Sequence, residues 1–141
     1  MTSYVDTSSI VRRVVADGPS LATWGAWDVA VASEVGRIEF HRTIARLVHE
    51  GTLNVESAAD ALREFGEIEE GILWVPLNER MAEIAAGPFP VVLKALDAIH
   101  LASALFVRET IGAQVVFVTH DRQLATAAAA MGFAVEGYDV R

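Results

Sequence analysis

The sequence predicts an α/β fold: a three-layer α/β/α sandwich with a central parallel sheet, formed as a single domain over residues 1–141. Two observations lead to this prediction. Short apolar segments alternate with longer segments of helical pattern along the whole chain. The short segments are also almost continuously apolar, which is typical of parallel strands covered by helices on both faces.

Five segments have the pattern of strands, at residues 3–5, 29–32, 73–77, 114–119 and 133–135. Capping residues and glycines delimit the helices between them. Helices are predicted over residues 7–17, from a cap at Ser33 to about Glu50, from a cap at Asn54 to residue 70, from a cap at Asn78 to near Gly87, over 93–111 and over 121–131. Because functional sites of such sheets lie outside the carboxyl ends of the strands, residues that follow strands are the first candidates.

The composition limits the classes of protein to which the chain can belong. Apolar residues make up 52% of it, which excludes intrinsic disorder. No apolar run reaches the roughly 18 residues needed to cross a bilayer, and the N-terminus lacks the basic segment of a signal peptide. The absence of cysteine excludes disulfides, thiolate zinc sites and cysteine nucleophiles. These features favour a cytoplasmic protein with no membrane partner.

The net charge of −8 argues at first sight against a nucleic-acid partner. The acidic residues are concentrated in residues 51–87, which carry eight of them against Arg63 and Arg80. Ten of the eleven basic residues are arginines, whose planar guanidinium group suits phosphate. Since a solvated acidic face with scattered arginines explains the same charges, charge alone leaves RNA binding open.

Two aspartates follow strands of the predicted sheet. Asp6 comes directly after the first strand, and Asp121 comes after the fourth. Each could simply cap the N-terminus of the next helix. The alternative is that both carboxylates meet at one edge of the sheet, where helix dipoles help them to stay ionised.

Asp97 lies in a segment that is apolar around its full circumference and is therefore predicted to be a largely buried helix. The only ionisable residues of segment 95–107 are Asp97 and His100. A buried carboxylate is costly unless a cation or a hydrogen-bond donor meets it. A structural pair with His100 or Arg108 is the alternative to a functional role.

Glu39 flanks an apolar stripe on the predicted helix after Ser33. A surface pair with Arg42, three residues on, would explain this position without any function. Glu34 competes for a functional role, although acids are common in the first turn of a helix for reasons of dipole alone.

Four acids from four distant segments suggest a cation site. Clustered carboxylates repel one another, which raises their apparent pKa values unless a metal compensates. Oxygen ligands without clusters of Cys or His favour Mg²⁺ or Mn²⁺ over zinc. Mg²⁺ held by carboxylates commonly serves phosphoryl transfer.

Four motifs of the chain resemble those of PIN-domain proteins, and of the VapC toxins in particular. They are Tyr4-Val5-Asp6-Thr7-Ser8 at the first strand, Ser33 with Glu39 six residues later, Leu96-Asp97-Ala98-Ile99-His100-Leu101-Ala102-Ser103-Ala104, and Val118-Thr119-His120-Asp121-Arg122-Gln123-Leu124-Ala125 followed by Gly132. The third and fourth motifs are fairly specific, and the four together span nearly the whole chain.

This resemblance implies an Mg²⁺-dependent endoribonuclease that a VapB-type antitoxin holds inactive and that commonly forms a homodimer. In such enzymes Asp6 and Asp97 would be the principal metal ligands. Glu39, selected over Glu34 by the register of its motif, would complete the site and position the attacking water. Asp121 would support a metal ion or its water shell.

Three other interpretations of the sequence are considered. His120-Asp121 resembles the dyad of HD-type metal phosphohydrolases, although those proteins are all-helical and need further histidines. A receiver-like domain would need an acceptor Asp after the middle strand, where Asn78 follows instead. A catalytically silent PIN fold would not need four acids. The Trp24–Trp27 stretch matches no motif of the family, and satellite core is the favoured interpretation over a substrate or dimer surface.

Overall fold

The computed structural model describes residues 1–15 and 21–138, and these residues form an α/β fold. The strands are β1 Thr2–Val5, β2 Val29–Ser33, β3 Ile72–Val75, β4 Val115–Val118 and β5 Ala134–Glu136. The helices are α1 Thr7–Val15, α2 Val35–His49, α3 Val55–Glu70, α4 Glu79–Ala85, α5 Ala95–Ile111 and α6 Arg122–Ala130. The strands form one sheet in the order β3-β2-β1-β4-β5, and every pair is parallel. The predicted fold class is confirmed.

Helices cover both faces of the sheet because successive side chains of a buried strand point to opposite sides. In β1, Tyr4 packs into a cluster that contains Leu101 of α5 and Leu124 of α6. Val5 packs into a second cluster, with Ile10 of α1 and Phe40 of α2. The two clusters are the two apolar layers of the sandwich.

Trp24 and Trp27 lie at the margin of the second apolar cluster. Both are half-buried, and their rings meet edge to face with centroids 5.0 Å apart. The interpretation of this stretch as satellite core is confirmed.

The capping residues predicted for two helices are confirmed. The side chain of Asn54 accepts a hydrogen bond from the backbone N–H of Ser57 at 2.7 Å, and Asn78 accepts one from Met81 at 3.0 Å. Each bond satisfies an amide that the first turn of a helix would otherwise leave unpaired.

Most predicted boundaries differ from the observed ones by one or two residues, and one lies outside the described residues. Ser33 is the last residue of β2 rather than the cap of α2; the cap position is Glu34, while the Ser33 hydroxyl accepts a bond from Val35 N at 3.3 Å. Strand β3 ends at Val75, because Pro76 has no N–H to donate. The predicted end of α1 at Asp17 falls within residues 16–20, outside the described part of the chain.

The architecture excludes the receiver-like and HD-type interpretations. A receiver-like domain has the order 2-1-3-4-5, whereas the order here runs 3-2-1-4-5. The HD interpretation requires an all-helical protein, and His120 follows a strand. Within the residues described, no helix is long and apolar enough to cross a membrane.

Candidate active site

The strand order reverses between β1 and β4, and the crevice at such a point is where open α/β sheets bind ligands. Val5 of β1 pairs with Val118 of β4, so the residues that follow them emerge side by side. The backbone N–H of Asp6 donates to the carbonyl of Val118 at 2.9 Å. Asp6 and Asp121 are therefore brought to the same crevice, as the sequence predicts.

Asp6 is buried and anchored through one carboxylate oxygen. Its Oδ2 atom accepts hydrogen bonds from the hydroxyls of Ser8 at 2.6 Å and Thr119 at 2.9 Å. The backbone N–H of Ser8 also approaches this oxygen, at 3.4 Å, which is a weak helix cap. The Oδ1 atom faces the Nε2 atom of His100 at 3.4 Å. Asp6 therefore contributes to the start of α1 and still lines the crevice.

Asp121 is the cap of helix α6, because its Oδ1 atom accepts a hydrogen bond from Leu124 N at 2.8 Å. The capping explanation considered for this residue is therefore correct. It does not remove the residue from the crevice, which Asp121 lines together with Asp6 and Asp97. Among the described residues the Oδ2 atom of Asp121 has no hydrogen-bond partner.

Glu39 points inward rather than towards Arg42. Its Oε1 atom accepts hydrogen bonds from the hydroxyl of Thr7 at 3.1 Å and from the Nε2 atom of His100. The surface pair with Arg42 is absent from the described part of the structure. Glu34 is engaged elsewhere, because its Oε1 atom accepts a bond from Leu77 N at 2.7 Å at the end of β3. The geometry thus selects Glu39 over Glu34 as the acid at the crevice.

His100 is buried between the two carboxylates and Tyr4. Its Nδ1 atom lies 2.6 Å from the Tyr4 hydroxyl, which also accepts a hydrogen bond from Ser33 N at 3.1 Å. Burial alone would lower the pKa of His100, but the carboxylates of Asp6 and Glu39 outweigh it and raise the pKa above its usual value. His100 therefore favours its protonated form more than a free histidine does, and its Nε2 atom orients Glu39.

Asp97 stands in the first turn of α5 and is half-buried. Among residues 1–15 and 21–138 it has no hydrogen bond or ion pair. His100 turns to Glu39 and Asp6, and Arg108 donates instead to the carbonyl of Met131 at 2.8 Å. Among the described residues Asp97 therefore forms no hydrogen bond or ion pair with His100 or Arg108, although the charge of His100 lowers the pKa of Asp97.

Burial raises the pKa of Asp97, and repulsion from the carboxylates of Asp121 and Asp6 raises it further. A cation bound beside this carboxylate would relieve that repulsion. Within the described residues, however, no three acidic or histidine side chains are so arranged that they could already coordinate one metal ion. The residues present still fit a hard cation such as Mg²⁺, because their donor atoms are carboxylate oxygens.

All four predicted site residues line one cleft of about 480 Å³. The acids occupy one part of the cleft. The remainder lies between α1 and α2 and is lined by Arg12 and Arg46 together with apolar side chains such as Val11 and Leu47. The cleft thus combines an acidic centre with a basic and apolar extension.

Sequence reasoning missed several residues of this site. It treated His100 only as a partner for Asp97, and it gave no role to Thr7, Thr119 or Arg12. One signal for His100 was present, since an ionisable residue one turn from Asp97 in an apolar helix must meet a partner when buried. Nothing in the sequence indicates that Thr119 would donate to Asp6, because that contact depends on the pairing of β1 with β4.

Comparisons with known proteins agree with this fold. The chain is 31% identical over 137 residues to "Ribonuclease VapC47" of Mycobacterium tuberculosis, a match that covers 92% of each protein. A chain of a toxin-antitoxin complex from Klebsiella pneumoniae superposes with a TM-score of 0.64 at 17% identity, covering 98% of this chain and 99% of that one. A protein from Pyrobaculum aerophilum gives the same TM-score at 18% identity over 96% of this chain and 84% of its own. No protein-family model matches the chain.

Proposed function

Because this chain belongs to the VapC family of ribonucleases, we propose that it is an Mg²⁺-dependent endoribonuclease and the toxin of a toxin–antitoxin pair. One observation carries the proposal. Four acids line the crevice where the strand order reverses, and Asp97 among them has a raised pKa and, within the described residues, no hydrogen bond or ion pair. Such a cleft suits a divalent cation and a phosphodiester together.

All four acids would contribute to coordinating the cation. Asp6 and Asp97 would be the principal ligands, with Glu39 and Asp121 completing the set. Bound Mg²⁺, or Mn²⁺ in its place, would polarise the phosphate and offset the negative charge that develops during attack. Asp121 commits Oδ1 to a hydrogen bond that caps α6, which leaves its Oδ2 atom without a partner among the described residues. Asp6 commits Oδ2 to hydrogen bonds with Ser8 and Thr119, and its Oδ1 atom lies 3.4 Å from His100.

Glu39 would position the water that attacks phosphorus. Thr7 and His100 both donate to its Oε1 atom, so the carboxylate is held in one orientation. Its Oε2 atom has no partner among the described residues and can accept a hydrogen bond from water. Hydrolysis of this kind exchanges the phosphodiester bond for a bond to water oxygen and needs no covalent enzyme intermediate.

The antitoxin would be a protein with a basic segment that enters the acidic cleft. An arginine of such a segment would form charge-assisted hydrogen bonds with the same carboxylates and so compete with Mg²⁺. The Klebsiella structure comes from a toxin-antitoxin complex, which supports the proposal at the level of fold. Ile38 and Leu96 are exposed beside the cleft and would add apolar contacts.

We also propose that the enzyme is a homodimer, because it resembles a family whose members commonly dimerise. A measurement of its mass in solution tests this proposal.

The proposed activity is tested by titrating Mg²⁺ and Mn²⁺ into a cleavage assay with total cellular RNA. Cleavage should depend on the divalent ion, stop with EDTA and return when the metal is restored. The variant Asp97→Asn should be inactive, whereas Arg63→Gln, on the exposed face of α3, should cut RNA like the wild type. Cleavage that is insensitive to EDTA, or retained in Asp97→Asn, would overturn the proposed site.

A further inference from the structure

The Tyr4 hydroxyl bonds the nitrogen of His100 that does not face the carboxylates. Tyr4 is fully buried in β1, and its hydroxyl lies 2.6 Å from the Nδ1 atom of His100. The Nε2 atom of the same ring bonds Glu39. We propose that Tyr4 is a positioning residue, whose hydroxyl keeps a proton on Nε2 of His100 and so holds Glu39 in the orientation that directs the attacking water. The inference rests on the proposed role of Glu39 in RNA hydrolysis.

Contacts with two neighbouring strands fix the position of the Tyr4 hydroxyl. The ring of Tyr4 stacks on Phe117 of β4, with centroids 5.1 Å apart and an angle of 24° between the planes. The backbone N–H of Ser33, at the end of β2, donates to the hydroxyl oxygen at 3.1 Å. Since a backbone N–H can only donate, this bond occupies a lone pair of the oxygen and leaves the hydroxyl proton for another acceptor. The nearest ring nitrogen of His100 is placed to be that acceptor.

A hydroxyl can bond the Nδ1 atom of His100 whichever form the imidazole takes. Beside a neutral ring the hydroxyl donates its proton to Nδ1, so the one ring proton stays on Nε2. Beside a protonated ring the same oxygen accepts a bond from Nδ1–H, and Nε2 again carries a proton. In both cases Nε2 donates to Glu39. A phenylalanine at position 4 would fill the same space but could form neither bond.

These bonds form a continuous chain from the sheet to the acid at the cleft. The N–H of Ser33 bonds the Tyr4 hydroxyl, and Tyr4 bonds His100. His100 in turn bonds Glu39. Ser33, Tyr4 and His100 are each at most 1% exposed, so water does not compete for the bonds between them. In such surroundings hydrogen bonds are stronger and polarise one another. Loss of the Tyr4 hydroxyl should therefore loosen Glu39.

The first test locates the ring proton of His100 in the metal-free wild-type protein. Long-range ¹H–¹⁵N spectra of protein labelled with ¹⁵N-histidine, recorded at pH 8, show which ring nitrogens carry a proton, and His100→Gln assigns the signals. The Nε2 atom should be protonated. A neutral ring with its proton on Nδ1 would overturn the proposal, because Nε2 could then not donate to Glu39. This measurement needs neither a variant of Tyr4 nor any cleavage of RNA.

The second test compares Tyr4→Phe with Tyr138→Phe, which removes the same atom from the other tyrosine of the chain. In variants that melt cooperatively, Tyr4→Phe should lower kcat about 10-fold, because a small displacement of a reacting group is costly. KM should change less than twofold. Tyr138→Phe should cut RNA like the wild type.

A double-mutant cycle distinguishes positioning from a merely structural role. If Tyr4 acts through His100, Tyr4→Phe should change kcat less than twofold in the His100→Ala background. Wild-type kcat in Tyr4→Phe, or the same loss in both backgrounds, would overturn the proposal. If Tyr4→Phe does not fold, the position of the ring proton decides. Failure of the wild type to cut any RNA would instead refute the ribonuclease proposal, and the spectra distinguish that outcome because they do not depend on cleavage.

Discussion

The Nε2 atom of His100 donates a hydrogen bond to the Oε1 atom of Glu39, although 61 residues separate the two in sequence. The hydroxyl of Thr7 donates to the same oxygen at 3.1 Å. Two donors on one oxygen fix the plane of the carboxylate and direct the other oxygen into the cleft. We therefore expect His100 to act as a positioning residue for Glu39.

Removing His100 should reduce catalysis through Glu39. We expect His100→Ala to lower kcat about 100-fold, since small misplacements of a reacting group have effects of this order. His100→Gln should recover part of the loss, because its amide N–H can still donate to Glu39. His49→Gln, an exposed histidine at the end of α2, is the matched control. Steady-state kinetics on variants that melt cooperatively measure the effect, and wild-type kcat in a folded His100→Ala protein would refute it.

The raised pKa of His100 also predicts how stability depends on pH. A histidine whose pKa is higher in the folded than in the unfolded chain stabilises the fold fully below its unfolded pKa of about 6.5. That contribution is lost as pH rises through the folded pKa. The free energy of unfolding in EDTA should therefore fall from pH 6.5 upwards, and His100→Gln should flatten the fall. Urea unfolding at a series of pH values tests this, and an unchanged slope in the variant would contradict it.

Asp97→Asn should stabilise the metal-free protein while abolishing cleavage. The pKa of Asp97 is raised by burial and by its acidic neighbours, so its ionised form destabilises the fold above the unfolded pKa of about 3.9. Because the carboxylate is half-exposed, solvent screening limits the gain to about 1 kcal/mol or less. Thermal melting in EDTA at pH 7 should show a higher Tm than the wild type, and the difference should vanish near pH 3.

Mg²⁺ should reverse this order of stability. An ion that binds only the folded protein stabilises it by mass action, and the wild type should gain more than Asp97→Asn. A collapse of the fold in Asp97→Asn, or an equal response of both proteins to Mg²⁺, would assign Asp97 a structural role.

Replacing Glu39 of α2 and replacing Glu34 at the cap position of α2 should have very different effects on kcat. Glu39→Gln keeps a side chain of the same size but removes the charge that would meet metal and water, and we expect kcat to fall at least 100-fold. Glu34→Gln should change kcat less than twofold, because Glu34 bonds the backbone of Leu77 away from the cleft and an amide oxygen can accept the same bond. Comparable losses in both variants would show that the register chosen for the second motif is wrong.

Much of this fold was predictable because its signals are local. Asn54 and Asn78 cap helices through contacts three residues away, and the alternation of apolar strands with helices indicates a parallel sheet before any pairing is known. The four acids were found because each lies just after a strand or in a motif of the family. In contrast, Ser33 was assigned to the wrong element, since a serine between a strand and a helix fits either one.

The contacts that complete the site could not be predicted, because they depend on which elements become neighbours. Thr119 donates to Asp6 only because β4 pairs with β1, and His100 reaches Glu39 only because α5 and α2 meet at the carboxyl edge of the sheet. The sequence pattern instead suggested His100 as the partner of Asp97, one turn away on the same helix. Burial of an ionisable residue indicates that it has a partner, but the sequence does not identify that partner.

Expression of the protein in a bacterial host should test the toxin proposal most directly. An endoribonuclease that acts on cellular RNA must be restrained in its own cytoplasm, so expression alone should arrest growth. Asp6→Asn should be harmless, because it removes the buried charge at the centre of the cleft while keeping hydrogen-bonding groups for Ser8 and Thr119. Co-expression with the product of the neighbouring small gene should restore growth, and the purified pair should cut no RNA.

The Arg63→Gln variant, exposed on α3, is the control and should arrest growth like the wild type. Normal growth despite abundant, folded wild-type protein would contradict the toxin proposal and leave the nuclease activity to be judged by the metal-dependent assay. Rescue should weaken when the most basic segment of the partner is deleted. The carboxylates of the cleft can form charge-assisted hydrogen bonds with arginine, and their negative charge attracts a basic segment. Full rescue by the deleted partner would place the contact elsewhere, for example on Ile38 and Leu96 beside the cleft.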